Sequence, residues 1–200
     1  IDLTKQNNIL DLFNSNIKRK IHKSQKDNIK VKYGTNNKLI NQFYQAYTHR
    51  MKEISVAPLG KKIIKRQVMA GCCTVFVAYL NNKIVGGATL IKESEDFYRN
   101  DLFSTLRIYN KHYVSYALHF AMMCYEKENQ GKIYSLGRST RGSSVHNYKR
   151  HFKGEEIPLY WSYSYKTRNI RDNKLLYKLW KLLPYKLTKI IGPIVSKRVY

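Results

Sequence analysis

The segments Cys73 to Leu80 (CTVFVAYL) and Ile84 to Ile91 (IVGGATLI), joined by Asn81-Asn82-Lys83, narrow the choice of fold more than any other part of the chain. Two apolar runs of strand length, rich in β-branched residues and linked by a turn dipeptide, read as a hairpin of two largely buried strands. Tyr113 to Glu126 is nearly all apolar and reads as an interior helix. Asn36 to Glu53 repeats Leu39, Phe43, Tyr44, Tyr47 and Met51 at helical spacing, and a second helix, Lys61 to Met69, follows Pro58 and Gly60. Leu10 to Lys26 sets Leu10, Phe13, Ile17 and Ile21 against Lys18, Arg19, Lys20, Lys23 and Lys26, the pattern of a basic amphipathic helix. Ile29 to Tyr33, Asp96 to Thr105, Ile133 to Leu136 and Ile157 to Tyr165 read as further strands. This order mixes a meander with a crossover, so the expected class is α/β, with a mixed, mainly antiparallel sheet flanked by helices.

Composition changes after Lys166, where the only acid is Asp172. Apolar residues fall at Leu176, Leu179, Trp180 and Leu183, then at Leu187, Ile190, Ile191, Ile194 and Val195. The pattern predicts two amphipathic helices hinged at Pro184, with a kink at Gly192-Pro193. Residues 1–168 are therefore expected to form one domain and 169–200 a basic helical tail, packed either on that domain or on a membrane surface.

Lys and Arg total 37 against 13 Asp and Glu, a net charge of +24. Such a field attracts polyanions: RNA, DNA, acidic glycans, acyl-CoA phosphates or an anionic membrane. With 43% hydrophobic residues, 17 of all residues being Tyr, the chain carries too much buriable surface for disorder. Cys72, Cys73 and Cys124 make no disulfide framework, and no CxxC or clustered His provides zinc spacing. A reducing, cytoplasmic setting with no metal is expected, with peripheral contact at the inner face of the membrane as the alternative to a freely soluble protein. The apolar runs are far short of a membrane span of about 20 residues. There is no initiator Met, and the chain reads as a piece of a longer protein.

No P-loop, GxGxxG, GxSxG or HExxH motif occurs. The densest segment is Leu136 to Ser144, where Gly137, Arg138, Ser139, Thr140, Arg141, Gly142 and Ser143 join a strand to a helix presenting Tyr148, Lys149 and Phe152. A glycine-flanked loop at a helix start, with arginines beside it, suits a phosphate or a developing oxyanion. Equally, Ser143 caps the helix and the arginines are solvated. Asn110 and Tyr113, ahead of the interior helix, either line a cleft or pack. Glu93, Glu95, Asp96 and Asp101 sit in no motif and read as surface residues. No general base stands out.

The stretch GRSTRGSSVHNYKRHFKGEEIPLYW resembles the signature of FemAB-like proteins, particularly those associated with exosortase and exopolysaccharide systems, which read GRST-P-G-S-G, then FK, an aromatic, Gly and PLPW. The opening NSNIKRKIHKSQKDNIKV and the ending WKLLPYKLTKIIGPIVSKRVY are also similar to theirs, so the resemblance covers most of the chain. It implies an acyl-CoA N-acyltransferase (GNAT) type fold, with this chain mainly the second of two GNAT-like halves. It implies transfer of an aminoacyl or acyl group to an amine of a cell-envelope precursor, peptidoglycan or exopolysaccharide. The co-substrate is then aminoacyl-tRNA or acyl-CoA, no cofactor is held permanently, and a lipid-linked or glycan acceptor fits.

On this resemblance Lys149 is the FK lysine and, with Arg138, the expected catalytic residue. Gly137, Ser139, Thr140, Gly142, Ser143, Tyr148, Asn110 and Tyr113 are expected to bind the donor or acceptor. Arg141 replaces the usual Pro, Ser144 a Gly and Phe152 a Trp, and the following glycine falls one place later, at Gly154. The GNAT pyrophosphate loop, Q/R-x-x-G-x-G/A, is not found, which favours aminoacyl-tRNA over acetyl-CoA. The competing expectation is a non-catalytic basic module that binds RNA or an acidic glycan.

Overall fold

The structure, a computed structural model, describes residues 1–160 and 180–199. Strands β1 (Lys30–Gly34), β2 (Cys73–Leu80), β3 (Lys83–Lys92), β4 (Phe97–Thr105) and β5 (Ile133–Ser135) form one five-stranded sheet in the order β1-β2-β3-β4-β5. The first four are antiparallel neighbours, and β5 runs parallel to β4. Helices α1 (Ser15–Lys26) and α4 (Val114–Glu128) cover one face; α2 (Asn37–Glu53) and α3 (Lys61–Met69) cover the other. A short α5 (Ser144–Arg150) follows β5, and α6 (Tyr185–Val199) is the last described element.

The hairpin behaves as its apolar runs anticipate. Phe76 and Ala78 of β2 pack toward Leu118, Met122 and Met123 of α4 and Ile17 and Ile21 of α1. Val75 and Val77 pack toward Phe43 and Tyr47 of α2 and Ile64 and Val68 of α3. Burial on both faces explains why these strands show no alternation.

Gly86 and Gly87 of β3 let both helix layers approach the sheet. A methyl group at Gly86 would lie 3.0 Å from Val114 of α4; at Gly87 it would lie 2.8 Å from the Phe43 ring of α2 and 2.9 Å from the Phe76 carbonyl. Backbone cannot yield as a side-chain tip does, so Gly87→Ala is expected to destabilise the fold by about 1–3 kcal/mol. Thermal unfolding followed by circular dichroism should show a melting temperature lower by about 3–10 °C.

Two expectations need adjustment, and others lie outside the described residues. The predicted helix from Leu10 is broken: Ile9–Leu12 is a 3-10 turn, and α1 starts only at Ser15 because the Asn14 side chain accepts the Ile17 amide at 3.0 Å and caps it. Ile157 to Tyr160 carries no regular structure, and the rest of that predicted strand lies outside the described residues. The same holds for the 168/169 boundary and for Leu176 and Leu179 of the predicted tail helix, whereas α6 continues through Pro193.

Candidate active site

The register of β3 with β4 pairs Ala88 with Phe103 and Leu90 with Asn100, so Asp101 and Leu102 together face Thr89. Thr89 is fully buried and pins this bulge: its Oγ1 accepts the Leu102 amide at 2.9 Å, and its carbonyl accepts the Asn100 side-chain amide at 3.1 Å. A bulge bends its strand. Accordingly β5 follows β4 only over Phe97–Arg99, and among the described residues no strand lies along the outer edge of β4 from Asp101 to Thr105.

Two elements border that edge. One is the start of α4, which follows the 3-10 turn Arg107–His112. Tyr113 takes the left-handed conformation (φ 52°) and makes no side-chain cap; its carbonyl accepts the Tyr116 amide at 2.9 Å, which leaves the Val114 and Ser115 amides as the orphan donors at the positive end of the helix dipole. The other is the Leu136–Ser143 loop. It meets β4 at Gly137, where φ is 75° and a Cβ would run into the Asn100 carbonyl. Only glycine fits that approach.

Lys149 secures the loop from α5. Its ammonium donates to the carbonyls of Gly137 (2.9 Å) and Arg138 (2.7 Å), and burial lowers its pKa to about 8. His146, which the sequence reading passed over, secures the other end. Its Nδ1 accepts the Gly142 amide at 3.1 Å, which leaves Nε2 as the proton-bearing nitrogen toward Glu156 at 3.1 Å. Ser143 caps α5 by accepting the His146 amide at 3.1 Å. The amides of Gly137, Gly142 and Ser143 are thus engaged within the loop, by Ser135 Oγ, His146 and the Thr140 carbonyl. Arg138, Ser139, Thr140 and Arg141 are exposed.

Beneath the loop lies an aromatic floor. Tyr148 meets Tyr116 at 5.5 Å and Phe152 at 5.5 Å, and Phe103 stacks on His119 at 4.5 Å. The Tyr148 hydroxyl is buried without a full hydrogen bond to any described group, and burial raises its pKa well above the phenol value, partly offset by nearby Ser115. His119 bonds the Tyr134 hydroxyl through Nδ1 at 2.6 Å, and burial, helped by the Lys149 charge, pushes its pKa down to about 3. It is a neutral packing group.

The structure therefore brings Gly137, Tyr148, Lys149 and the start of α4 together, with Tyr113 5.9 Å from Tyr116 across the floor. Asn110 is exposed on the preceding turn, where its carbonyl accepts the Tyr113 amide at 3.1 Å. Ser115, Tyr116 and Phe103 were not singled out from sequence, because an apolar helix and a strand give no sign of which residues border an opening. Glu93 and Asp101 both pair with Arg99 at 2.6 Å, Glu95 with Lys92 at 2.9 Å and Asp96 with Lys132 at 3.0 Å. Glu126, buried with its pKa pushed up to about 8, sits near the far end of α4, about 18 Å along the helix from Val114. No cluster of His, Cys, Asp or Glu able to hold a metal occurs among the described residues.

No family model and no curated protein match the sequence. Solved structures do match in shape. An aminoglycoside acetyltransferase from an uncultured soil metagenomic sample, crystallised with sisomicin, has a TM-score of 0.55 at 18% identity, over 69% of this chain and 97% of its own. FemX has a TM-score of 0.63 at 10% identity, over 76% of this chain and 56% of its own. The C-terminal domain of a putative lysylphosphatidylglycerol synthetase from Agrobacterium fabrum has 0.59 at 14%, over 78% and 55%. The chain thus spans nearly all of the acetyltransferase but little more than half of the other two. At these identities the likeness is one of fold: a five-stranded mixed sheet with helices on both faces, of GNAT-like type.

Proposed function

We propose that the chain catalyses N-acyl transfer, moving an aminoacyl or acyl group from aminoacyl-tRNA or acyl-CoA to an amine of a cell-envelope or exopolysaccharide precursor. The observation that carries this reading is the outer edge of β4 beyond Arg99, which no described strand pairs, bordered by the start of α4 and by the loop that Lys149 holds. An extended donor arm can add to a strand edge through main-chain hydrogen bonds, and a phosphate suits a helix N-terminus. The net charge of +24 favours either polyanionic donor, and the structures of similar fold include acyltransferases.

In the reaction the amine nitrogen attacks the acyl carbonyl carbon. The C–N bond forms, the thioester C–S or ribose ester C–O bond breaks, and the proton lost by the amine passes through solvent to the leaving thiolate or ribose oxygen. Tyr148, whose ring packs on Tyr116 and Phe152, forms part of the floor beneath the region where the donor would bind. Lys149 holds Gly137 and Arg138 in place, so that Arg138, Ser139 and Thr140 can meet the charged part of the donor. Gly142, Ser143, Asn110 and Tyr113 border the same region. No permanent cofactor or metal is required. A lipid-linked acceptor goes with a cytoplasmic location and peripheral contact at the inner face of the membrane, the α6 tail acting as the contact.

Purified protein should therefore co-purify with, or bind, CoA species or tRNA, and mass spectrometry of amine acceptors incubated with each charged donor should show the added acyl mass. Binding of RNA or acidic glycan with no donor turnover would replace this reading with that of a basic binding module.

A further inference from the structure

Helix α6 is turned inside out. On an amphipathic helix of a globular protein the apolar stripe normally meets the core. Here Thr188 and Ser196 are 2% and 1% exposed, and Gly192 between them is buried, whereas Leu187, Ile190 and Ile194 are 44%, 67% and 60% exposed. At 100° per residue those three fall opposite Gly192.

The inversion has a packing cause. A Cβ at Gly192 would collide with the Pro58 ring, and one at Gly60 would touch Pro193 at 3.4 Å, so only a small-residue face lets α6 lie this close. Burying that face leaves no orphaned hydroxyl, since Thr188 donates to the Tyr185 carbonyl at 2.9 Å and Ser196 to the Pro193 carbonyl at 3.1 Å. Tyr185 completes the seat, its hydroxyl 2.8 Å from Thr48 Oγ1 and its ring stacked on His49 at 4.0 Å.

Beside the stripe lies a polar pocket of about 390 Å³ between α2, α3 and α6, whose lining includes Tyr44, His49, Lys61, Tyr185 and Lys189. Lys61 donates to the Asn41 side chain at 3.0 Å, and its ammonium lies 5.9 Å over the Tyr44 ring. The acid one turn from His49, Glu53, is paired with Arg50 at 2.9 Å. The pocket lining is thus cationic, and Lys186 and Lys189 are exposed on the helix that carries the apolar stripe.

We infer that α6 docks the protein on an anionic phospholipid bilayer, with Leu187, Ile190 and Ile194 entering the interface and Lys61 and Lys189 taking a lipid phosphate in the adjoining pocket. The charge pattern selects this occupant over a second copy of the chain, which at +24 would be repelled. No described helix is long and apolar enough to cross a membrane, so contact is parallel to the surface. This docking rests on the peripheral location proposed above and not on the acyl chemistry.

Vesicle co-sedimentation of the full chain tests it, without donor or acceptor, so that failure here leaves the transfer reading standing. The protein should pellet at low salt with phosphatidylcholine vesicles containing phosphatidylglycerol, and far less with phosphatidylcholine alone. The triple change Leu187→Ser, Ile190→Ser, Ile194→Ser should lower partitioning at least about tenfold with an unchanged melting temperature, and Lys61→Gln with Lys189→Gln should lower it about tenfold on anionic vesicles only. Docking is overturned if the native chain ignores anionic vesicles, or if the serine variant binds as well as the native chain. A serine variant that melts earlier would mean that the chain itself covers the stripe, and a native dimer that the variant dissolves would mean that a second copy does. Either result also overturns docking.

Discussion

Replacing Lys149 with Ala is expected to reduce kcat for acyl transfer by about a hundred- to a thousandfold, roughly 3–4 kcal/mol of transition-state stabilisation. The effect is large because one ammonium holds two loop carbonyls, at 2.9 and 2.7 Å, where the loop touches β4 at Gly137. Without it those carbonyls lose a charged donor, worth about 1–3 kcal/mol, and the loop is free to leave the outer edge of β4. Donor affinity, set largely by total charge, should change only severalfold.

The pH profile separates this positioning role from a merely structural one. Burial lowers the Lys149 pKa to about 8, so the ammonium is present below that value and lost above it, and turnover should decline as pH rises through about 8. Lys149→Arg keeps its charge at every accessible pH and should remove that alkaline limb while remaining below the native rate, since a guanidinium cannot reproduce the same two contacts. A Lys149→Ala variant within threefold of the native kcat would show that the loop does not serve the reaction.

Glu126 should make stability fall with rising pH, an effect that comparison with Glu126→Gln isolates from that of buried His119. The Glu126 side chain is fully buried and neither carboxylate oxygen has a hydrogen-bond partner among the described residues, so burial pushes the pKa up from 4.5 to about 8. The sign follows from linkage. Between pH 4.5 and 8 the unfolded chain releases this proton and the folded chain retains it, so folding becomes less favourable as pH rises. Over the full window the loss is on the order of 3–5 kcal/mol. Glu126→Gln carries no ionisable group, so its stability should not fall in this way, and the variant should overtake the native chain well before pH 8. Urea unfolding at a series of pH values measures the difference, and parallel curves for the two proteins would show that Glu126 is solvated in solution. Turnover should be insensitive to this change, because the residue lies far from the outer edge of β4 beyond Arg99.

The sheet strands and main helices were legible because their burial leaves unambiguous patterns. β2 and β3 are apolar on both faces and α4 nearly all round, which only an interior position allows. The Ser143 cap was also legible, since capping depends on neighbours two or three residues away. The break before α1 was missed although Asn14 signals it, because the Leu10, Phe13, Ile17, Ile21 stripe runs through the break without changing phase.

For the site, the dense Gly137 to Lys149 segment marked the place but not the geometry. That Lys149 turns onto two carbonyls, that His146 ties Gly142, and that Thr89 bulges β4 are decided by contacts between segments far apart in sequence. Periodicity establishes that a helix has an apolar side, and it fixed α6 as amphipathic without showing where that side faces. The direction came from the tertiary structure: Pro58 admits only the small face of Thr188, Gly192 and Ser196, and the close approach it permits turns Leu187, Ile190 and Ile194 outward.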